Sequence, residues 1–256
     1  MARKIVVTSG KGGAGKTTVC ALLGESLSRL NKRVIILDLD FSLNNLDVVT
    51  GVEDKVVYDV ADVVNGRCRV KQAIIKVDRN LSVMQSGRSW SDFLSGQSIR
   101  LLTEGLNGYD FVFLDCPAGV DEGFMRAVSA ADEAIVVVNP SPSSLRDADK
   151  TVNILAQYKP ENVYGIVNKV RGDLVLRGKE LSVSEVGDIL KIPIIGCVPD
   201  DDAVLTASSC DVYGKAMRSF GMIAKYLIKG EGKIYDCLGE FKRPFGRLKM
   251  ALRSRG

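Results

Sequence analysis

The sequence predicts an α/β fold: a mostly parallel, twisted sheet flanked by helices on both faces. Three observations predict it. Short runs of consecutive apolar, largely β-branched residues recur along the chain, and helix-like segments separate them. The runs are continuous rather than alternating, as in strands buried on both faces. The first run leads directly into a glycine-rich loop and then a helix.

In chain order, Ile5-Val6-Val7 is the first strand, and Val19 to Leu30 the first helix, with Leu22, Leu23, Leu27 and Leu30 at helical spacing. Val34 to Leu37 is the second strand. Later strands are expected at Phe111–Leu114, Ala134–Val138, Val163–Val167 and Ile194–Val198. Ser144–Tyr158, Ser182–Leu190 and Ala216–Ile228 read as helices. No linker interrupts residues 1–230, expected to be one domain. At Gly230-Glu231-Gly232 the body is expected to give way to a C-terminal appendage, residues 231–256.

Composition narrows the chemistry. The 256 residues are 46% hydrophobic and 26% charged, which suits a globular chain and argues against disorder. No apolar run approaches the roughly 18–20 residues that span a bilayer. Met1-Ala2-Arg3-Lys4 lacks the pattern of a signal peptide, so a cytoplasmic location is expected. Cys20, Cys68, Cys116, Cys197, Cys210 and Cys237 include no C-x-x-C pair, and there is no histidine. Small buried hydrophobes are the expected role of these cysteines. Catalysis must then rest on carboxylates, lysine, metal or backbone.

Gly10-Lys11-Gly12-Gly13-Ala14-Gly15-Lys16-Thr17 fits G-x-x-x-x-G-K-[ST] between the first strand and first helix. The glycines let successive N–H groups turn inward onto phosphate oxygens, and the helix N-terminus adds its positive dipole end. Lys16 is expected on the β- and γ-phosphates and the Thr17 hydroxyl on Mg²⁺. Asp38, Asp40 and Asp115 follow apolar strands and so belong at the carboxyl edge of the sheet, where ligands of such folds bind. Asp115 is placed to hold Mg²⁺ directly or through water. A single strand-end acid is as easily a turn former or helix cap. Three beside a phosphate loop are poorly explained that way.

Lys11-Gly12-Gly13-Ala14-Gly15-Lys16-Thr17-Thr18 resembles the deviant Walker A signature K-G-G-x-G-K-[ST] of the MinD/ParA family of P-loop ATPases. Asn44-Asn45-Leu46-Asp47, Asp115-Cys116-Pro117-Ala118-Gly119, Asn139-Pro140, Ser143 to Asp147, Arg177-Gly178 and Val198-Pro199 extend the resemblance over most of residues 3–230, on its MinD side. Ser42 departs from it, standing where the family usually carries glycine. The resemblance implies that Lys11 reaches the phosphates held by a partner subunit in an ATP-bound homodimer. It implies that Asp40 orients or deprotonates the attacking water, that Asp38 supports the Mg²⁺ shell, and that Thr18 completes the loop. It also implies that Asn168 reads adenine, with the Pro199 loop on the other side. Arg171 replaces the acid of a guanine-reading Asn-Lys-x-Asp, which favours ATP over GTP.

The net charge of +4 is unevenly placed. Lys242, Arg243, Arg247, Lys249, Arg253 and Arg255 lie in the tail with no acid among them, which leaves the preceding body net negative. That balance disfavours DNA binding by the body, as a ParA-like segregation ATPase would need. After Pro244, residues 244–253 form a potential amphipathic helix with Phe245, Leu248 and Leu252 on one face and Lys249 and Arg253 beside it; Arg247 lies opposite. Anionic lipids on the cytoplasmic face of the cell membrane are its expected target. One such tail binds marginally, whereas two on a dimer gain avidity of roughly 10²–10⁴. The resemblance further implies a role in placing the division septum, with a MinC-like inhibitor and a MinE-like or DivIVA-linked topological factor as partners. A flagellar-number ATPase of the same family is the alternative role. A metallocentre-insertion iron protein would need cysteines paired across a symmetry axis, for which Cys116 is the single candidate.

Overall fold

The structure is a computed structural model that describes residues 2–41, 45–87, 94–206 and 214–242. The predicted membrane helix, with Phe245, Arg247, Leu248, Lys249, Leu252 and Arg253, lies outside the described residues, as do Ser42, Asn44 and Cys210.

Eight strands form one sheet: β1 (Arg3–Thr8), β2 (Val34–Asp38), β3 (Ile75–Lys76), β4 (Leu81–Met84), β5 (Phe111–Asp115), β6 (Glu133–Val138), β7 (Asn162–Val170) and β8 (Ile194–Pro199). Their order is β3-β4-β2-β5-β1-β6-β7-β8, parallel throughout except for β3, which runs antiparallel to β4 at one edge. The helices are α1 (Lys16–Arg29), α2 (Leu46–Thr50), α3 (Val60–Val64), α4 (Val70–Ala73), α5 (Gly96–Glu104), α6 (Glu122–Ser129), α7 (Pro142–Tyr158), α8 (Gly172–Leu176), α9 (Val183–Leu190), α10 (Asp202–Thr206), α11 (Lys215–Lys229) and α12 (Gly239–Lys242). All six expected strands form, and the ends of the expected helices differ from their expected bounds by no more than three residues. The β3–β4 pair was not foreseen. Leu81-Ser82-Val83-Met84 is short and interrupted by Ser82, so its pattern carries little signal.

The sheet separates two apolar cores. Along β1, Ile5 and Val7 face one core while Val6 faces the other, and β2 and β5 alternate in the same way. On the first face α1 contributes Val19, Leu23 and Leu27, and α11 contributes Phe220, Ile223 and Leu227. On the second face lie Ile99 of α5, Phe124 of α6, Leu145 and Leu155 of α7, and Val186 of α9. β2, β5 and β6 are buried along their whole lengths. This is why their sequences read as unbroken apolar runs.

Each cap uses local chemistry. Ser141 and Ser182 accept hydrogen bonds from the third residue of α7 and α9 respectively, and Pro142 occupies the first turn of α7. Gly230 closes α11 in a left-handed conformation, at the expected body–appendage division. Residues after it still pack on the body, for Cys237 and Phe241 are buried and the backbone of Cys237 lies against Gly172. Among the described residues no helix is long and apolar enough to cross a membrane.

Helix α11 rests on β8 where Gly196 has no side chain: a Cβ there would lie 2.4 Å from Ile223 Cδ1. Gly196→Ala is therefore expected to destabilise the protein by about 1–3 kcal/mol in urea unfolding. Combined with Ile223→Ala it should cost less than the two single changes added; strict additivity would place the clash elsewhere.

Candidate functional site

The site is built at the carboxyl edge of the sheet, where β1, β2 and β5 end side by side. The β1–α1 loop curls over these ends. Gly13 and Gly15 take positive φ values of 77° and 97°, and Gly15 is the N-cap of α1. A side chain at Gly15 would be strained and would meet Asn168 Nδ2 at 2.5 Å. Gly10 answers a different need. It lies against the backbone of Asp147 and Ala148 in α7, and a Cβ there would overlap it at 2.2 Å. Gly10 thus sets how closely the loop approaches α7, while Gly12, Gly13, Gly15, Lys16, Thr17 and Thr18 line a cavity of about 270 Å³ with Asp38 and Asp40. Ala14 is buried beneath the loop.

The two loop lysines part company. Lys16 is 8% exposed and turned into the cavity. Lys11 is exposed and outside the cavity wall, its carbonyl accepting a hydrogen bond from Ser9 Oγ at 2.8 Å.

The carboxylates sit beneath the loop. β2 and β5 pair so that Asp38 is level with Asp115. Both are 1% exposed. Asp38 accepts hydrogen bonds from its neighbour's backbone, Asp40 N–H at 2.9 Å, and from Gln85 Nε2 at 3.1 Å. Ser86 Oγ donates to the Asp40 carbonyl, so the end of β4 braces the loop after β2. Neither carboxylate oxygen of Asp115 completes a hydrogen bond, although both are buried. Burial, with Asp115 alongside, pushes the Asp38 carboxyl up to about 8. Burial pushes Asp115 up to about 6, against the pull of the Thr17 hydroxyl and the Lys16 ammonium. A pair of buried acids, one of them with both oxygens unsatisfied, is a place for added positive charge. Among the described residues no three carboxylates or cysteines converge into a ready metal cage. The fit is instead to Mg²⁺ that arrives with phosphates and needs one or two protein oxygens, which Thr17 and Asp115 can supply.

A second cavity, of about 120 Å³, adjoins Gly15 and Thr18 and lies between Asn168 and the Val198-Pro199-Asp200 turn. The fold thus brings together the two residues expected to flank a base. β7 is irregular here: its register against β8 shifts between Val167 and Val170, and Lys169 adopts φ 57°. The bulge turns two consecutive side chains toward the phosphate loop. Asn168 Nδ2 donates to Ala14 O at 2.8 Å, and Lys169 Nζ donates to Gly13 O at 3.0 Å. Both loop carbonyls are thereby turned toward β7. Lys169, Gln85, Ser86 and the cavity-lining Val49 were not singled out from the sequence; nothing in their local pattern marks them. Cys116 is fully buried and burial pushes its thiol well up, which argues against a metal shared across a subunit boundary.

Two expectations follow. Asp115→Asn should leave the nucleotide-free protein at least as resistant to urea at pH 7.5 as the parent while lowering Mg²⁺-dependent turnover by more than about 100-fold. The raised acid contributes a penalty that is complete above pH 6 and relieved as pH falls through that value, so a large loss of stability at pH 7.5 would mean the carboxylate serves the fold. Lys169→Met should weaken nucleotide binding by up to about tenfold with little change in unfolding, as measured by fluorescent-nucleotide titration.

Comparison with known proteins places this architecture. The family model AAA_31, an AAA domain, matches residues 2–164. The septum site-determining protein MinD of Bacillus subtilis (strain 168) is 42% identical over 217 residues, covering 82% of this chain and 80% of that protein. MinD of Synechocystis sp. is 39% identical over 213 residues, covering 82% and 80%. Among solved structures, the MinC:MinD cell division protein complex of Aquifex aeolicus aligns with a TM-score of 0.83 at 36% identity, over 91% of this chain and 97% of that one. MinD of Pyrococcus horikoshii OT3, complexed with Mg-ADP, aligns with a TM-score of 0.79 at 27% identity, over 90% and 97%. With its phosphate loop, buried strand-end acids and this likeness across most of its length, the chain belongs to the MinD family of deviant Walker A P-loop ATPases, and it is an ATP hydrolase of the cell-division type.

Proposed function

We propose that the protein is a Mg²⁺-dependent ATPase switch that pairs on ATP, attaches reversibly to the cytoplasmic face of the membrane and helps to place the division septum. The division of labour between the two loop lysines carries this reading. Lys16 occupies its own cavity, whereas Lys11 is exposed at its rim. A second copy facing the rim would receive Lys11 near its γ-phosphate, supplying in trans the cation that the isolated subunit lacks. Hydrolysis would then depend on pairing.

Within each cavity the chain's own groups do the remaining work. Lys16 and the loop N–H groups hold the phosphates, while Asp40, positioned by its bond to Asp38 and by Ser86, orients the attacking water and accepts its proton. Mg²⁺, held by Thr17 and Asp115, would neutralise the phosphate charge. Asn168 and the Pro199 segment, which line one cavity, would hold an adenine between them. The tail, residues 244–253, would give each subunit a weak lipid anchor that becomes effective in pairs. The likeness to the MinD chain of a MinC:MinD complex supports a MinC-like inhibitor as partner. A MinE-like or DivIVA-linked factor would complete the positioning system.

Light scattering tests pairing. Asp40→Ala protein, which should bind ATP without turning it over, is expected to run as a dimer with Mg-ATP and as a monomer with ADP, and to pellet with anionic liposomes in the ATP state alone. Adding Lys11→Ala should abolish both. A protein that stays monomeric at saturating Mg-ATP would end this reading.

A further inference from the structure

Two thiols distant in sequence meet behind the last strand. Cys197 lies in β8 and Cys237 in the segment between α11 and α12, and their Sγ atoms are 2.8 Å apart. A disulfide has S–S of about 2.05 Å, so closure asks for a movement of less than about 1 Å. The surroundings hold the pair in place. The Cys197 carbonyl accepts hydrogen bonds from Ser219 Oγ at 2.7 Å and from Cys237 Sγ at 3.7 Å. On the other side, the Cys237 carbonyl lies against Gly172, where a Cβ would approach it to 2.2 Å. The segment therefore approaches the body as closely as a residue without a side chain allows.

Access is one-sided. Cys197 is 1% and Cys237 7% exposed, yet both line an apolar cavity of about 310 Å³ bounded by Val175, Val183, Tyr235 and Leu238. That volume admits a small molecule. The contact with Cys197, then burial, pushes the Cys237 thiol well up, which slows the first oxidation, whereas the closeness of Cys197 favours the second step, closure of the bond. The half-buried Cys68, whose thiol is also raised by burial, has no such neighbour among the described residues.

We propose that Cys197 and Cys237 form an oxidation site at which hydrogen peroxide makes a reversible disulfide, stapling the C-terminal segment to β8. Cys237 sulfur attacks one peroxide oxygen, the O–O bond breaks, and a sulfenic acid forms with loss of one water. Cys197 sulfur then attacks the sulfenic sulfur and expels a second water. Two thiols are oxidised and one peroxide is reduced, with both thiol protons leaving in the waters. The bond joins residues 40 apart and so removes chain freedom from the unfolded state. It also fixes the root of the basic tail to the sheet.

The test treats the reduced, full-length protein with hydrogen peroxide, blocks remaining thiols with an alkylating agent and maps the peptides by mass. A linked pair of peptides carrying Cys197 and Cys237, two hydrogens lighter than the thiols and separated again by dithiothreitol, is expected before Cys20 or Cys116 is modified. Oxidation should raise Tm by about 5–10 °C, and neither Cys237→Ser nor Cys237→Ala protein should show that shift. The proposal falls if both thiols remain open to alkylation once Cys68 is oxidised, if Cys237 proceeds to sulfinic acid without a link, or if the Cys237 variants gain the same rise in Tm.

Discussion

Two acids that end neighbouring strands share one buried level of the sheet, and much of the site is arranged around that fact. The pairing of β2 with β5 sets Asp38 beside Asp115, each out of reach of water. Charges so placed are tolerated only where a cation answers them. Lys16 comes from the loop above, and further positive charge is left for the ligand to bring. The brace from Gln85 and Ser86 and the backbone bond from Asp40 hold this arrangement open rather than letting it collapse. A site that is electrostatically incomplete by itself binds most strongly what completes it.

The phosphate loop is held from outside as well as shaped from within. Its first glycine lies against α7, and its carbonyls at Gly13 and Ala14 are drawn toward β7 by Lys169 and Asn168. The Lys169 and Asn168 contacts tie the phosphate loop to the cavity beside Asn168 through a single bulge. The Gly10 contact also connects the loop to α7.

The bulge shows how a small irregularity acquires consequences. In regular pairing, Asn168 and Lys169 would point to opposite faces of the sheet. The register shift and the left-handed residue let both serve one loop. Backbone strain of this kind persists where surrounding contacts over-determine it, and here two hydrogen bonds and the adjoining β8 do so.

The chain's local pattern determined the mostly parallel sheet, the positions of its six main strands along the chain, the phosphate loop and the identity of its three acids, while the order of the strands in the sheet came from tertiary structure. Continuous apolar runs report burial on both faces, and a glycine cradle is a local requirement written in consecutive residues. The acids under the loop were legible for the same reason, since each ends or closely follows an apolar strand, although the pairing that sets Asp38 level with Asp115 was not. Gln85, Lys169 and the Cys197–Cys237 contact were decided by tertiary structure alone. Each depends on register between segments far apart in sequence, and the short β3–β4 pair that delivers Gln85 is stabilised by its neighbours rather than by its own pattern. Propensity and periodicity speak for a segment; they carry no information about which partner it will meet.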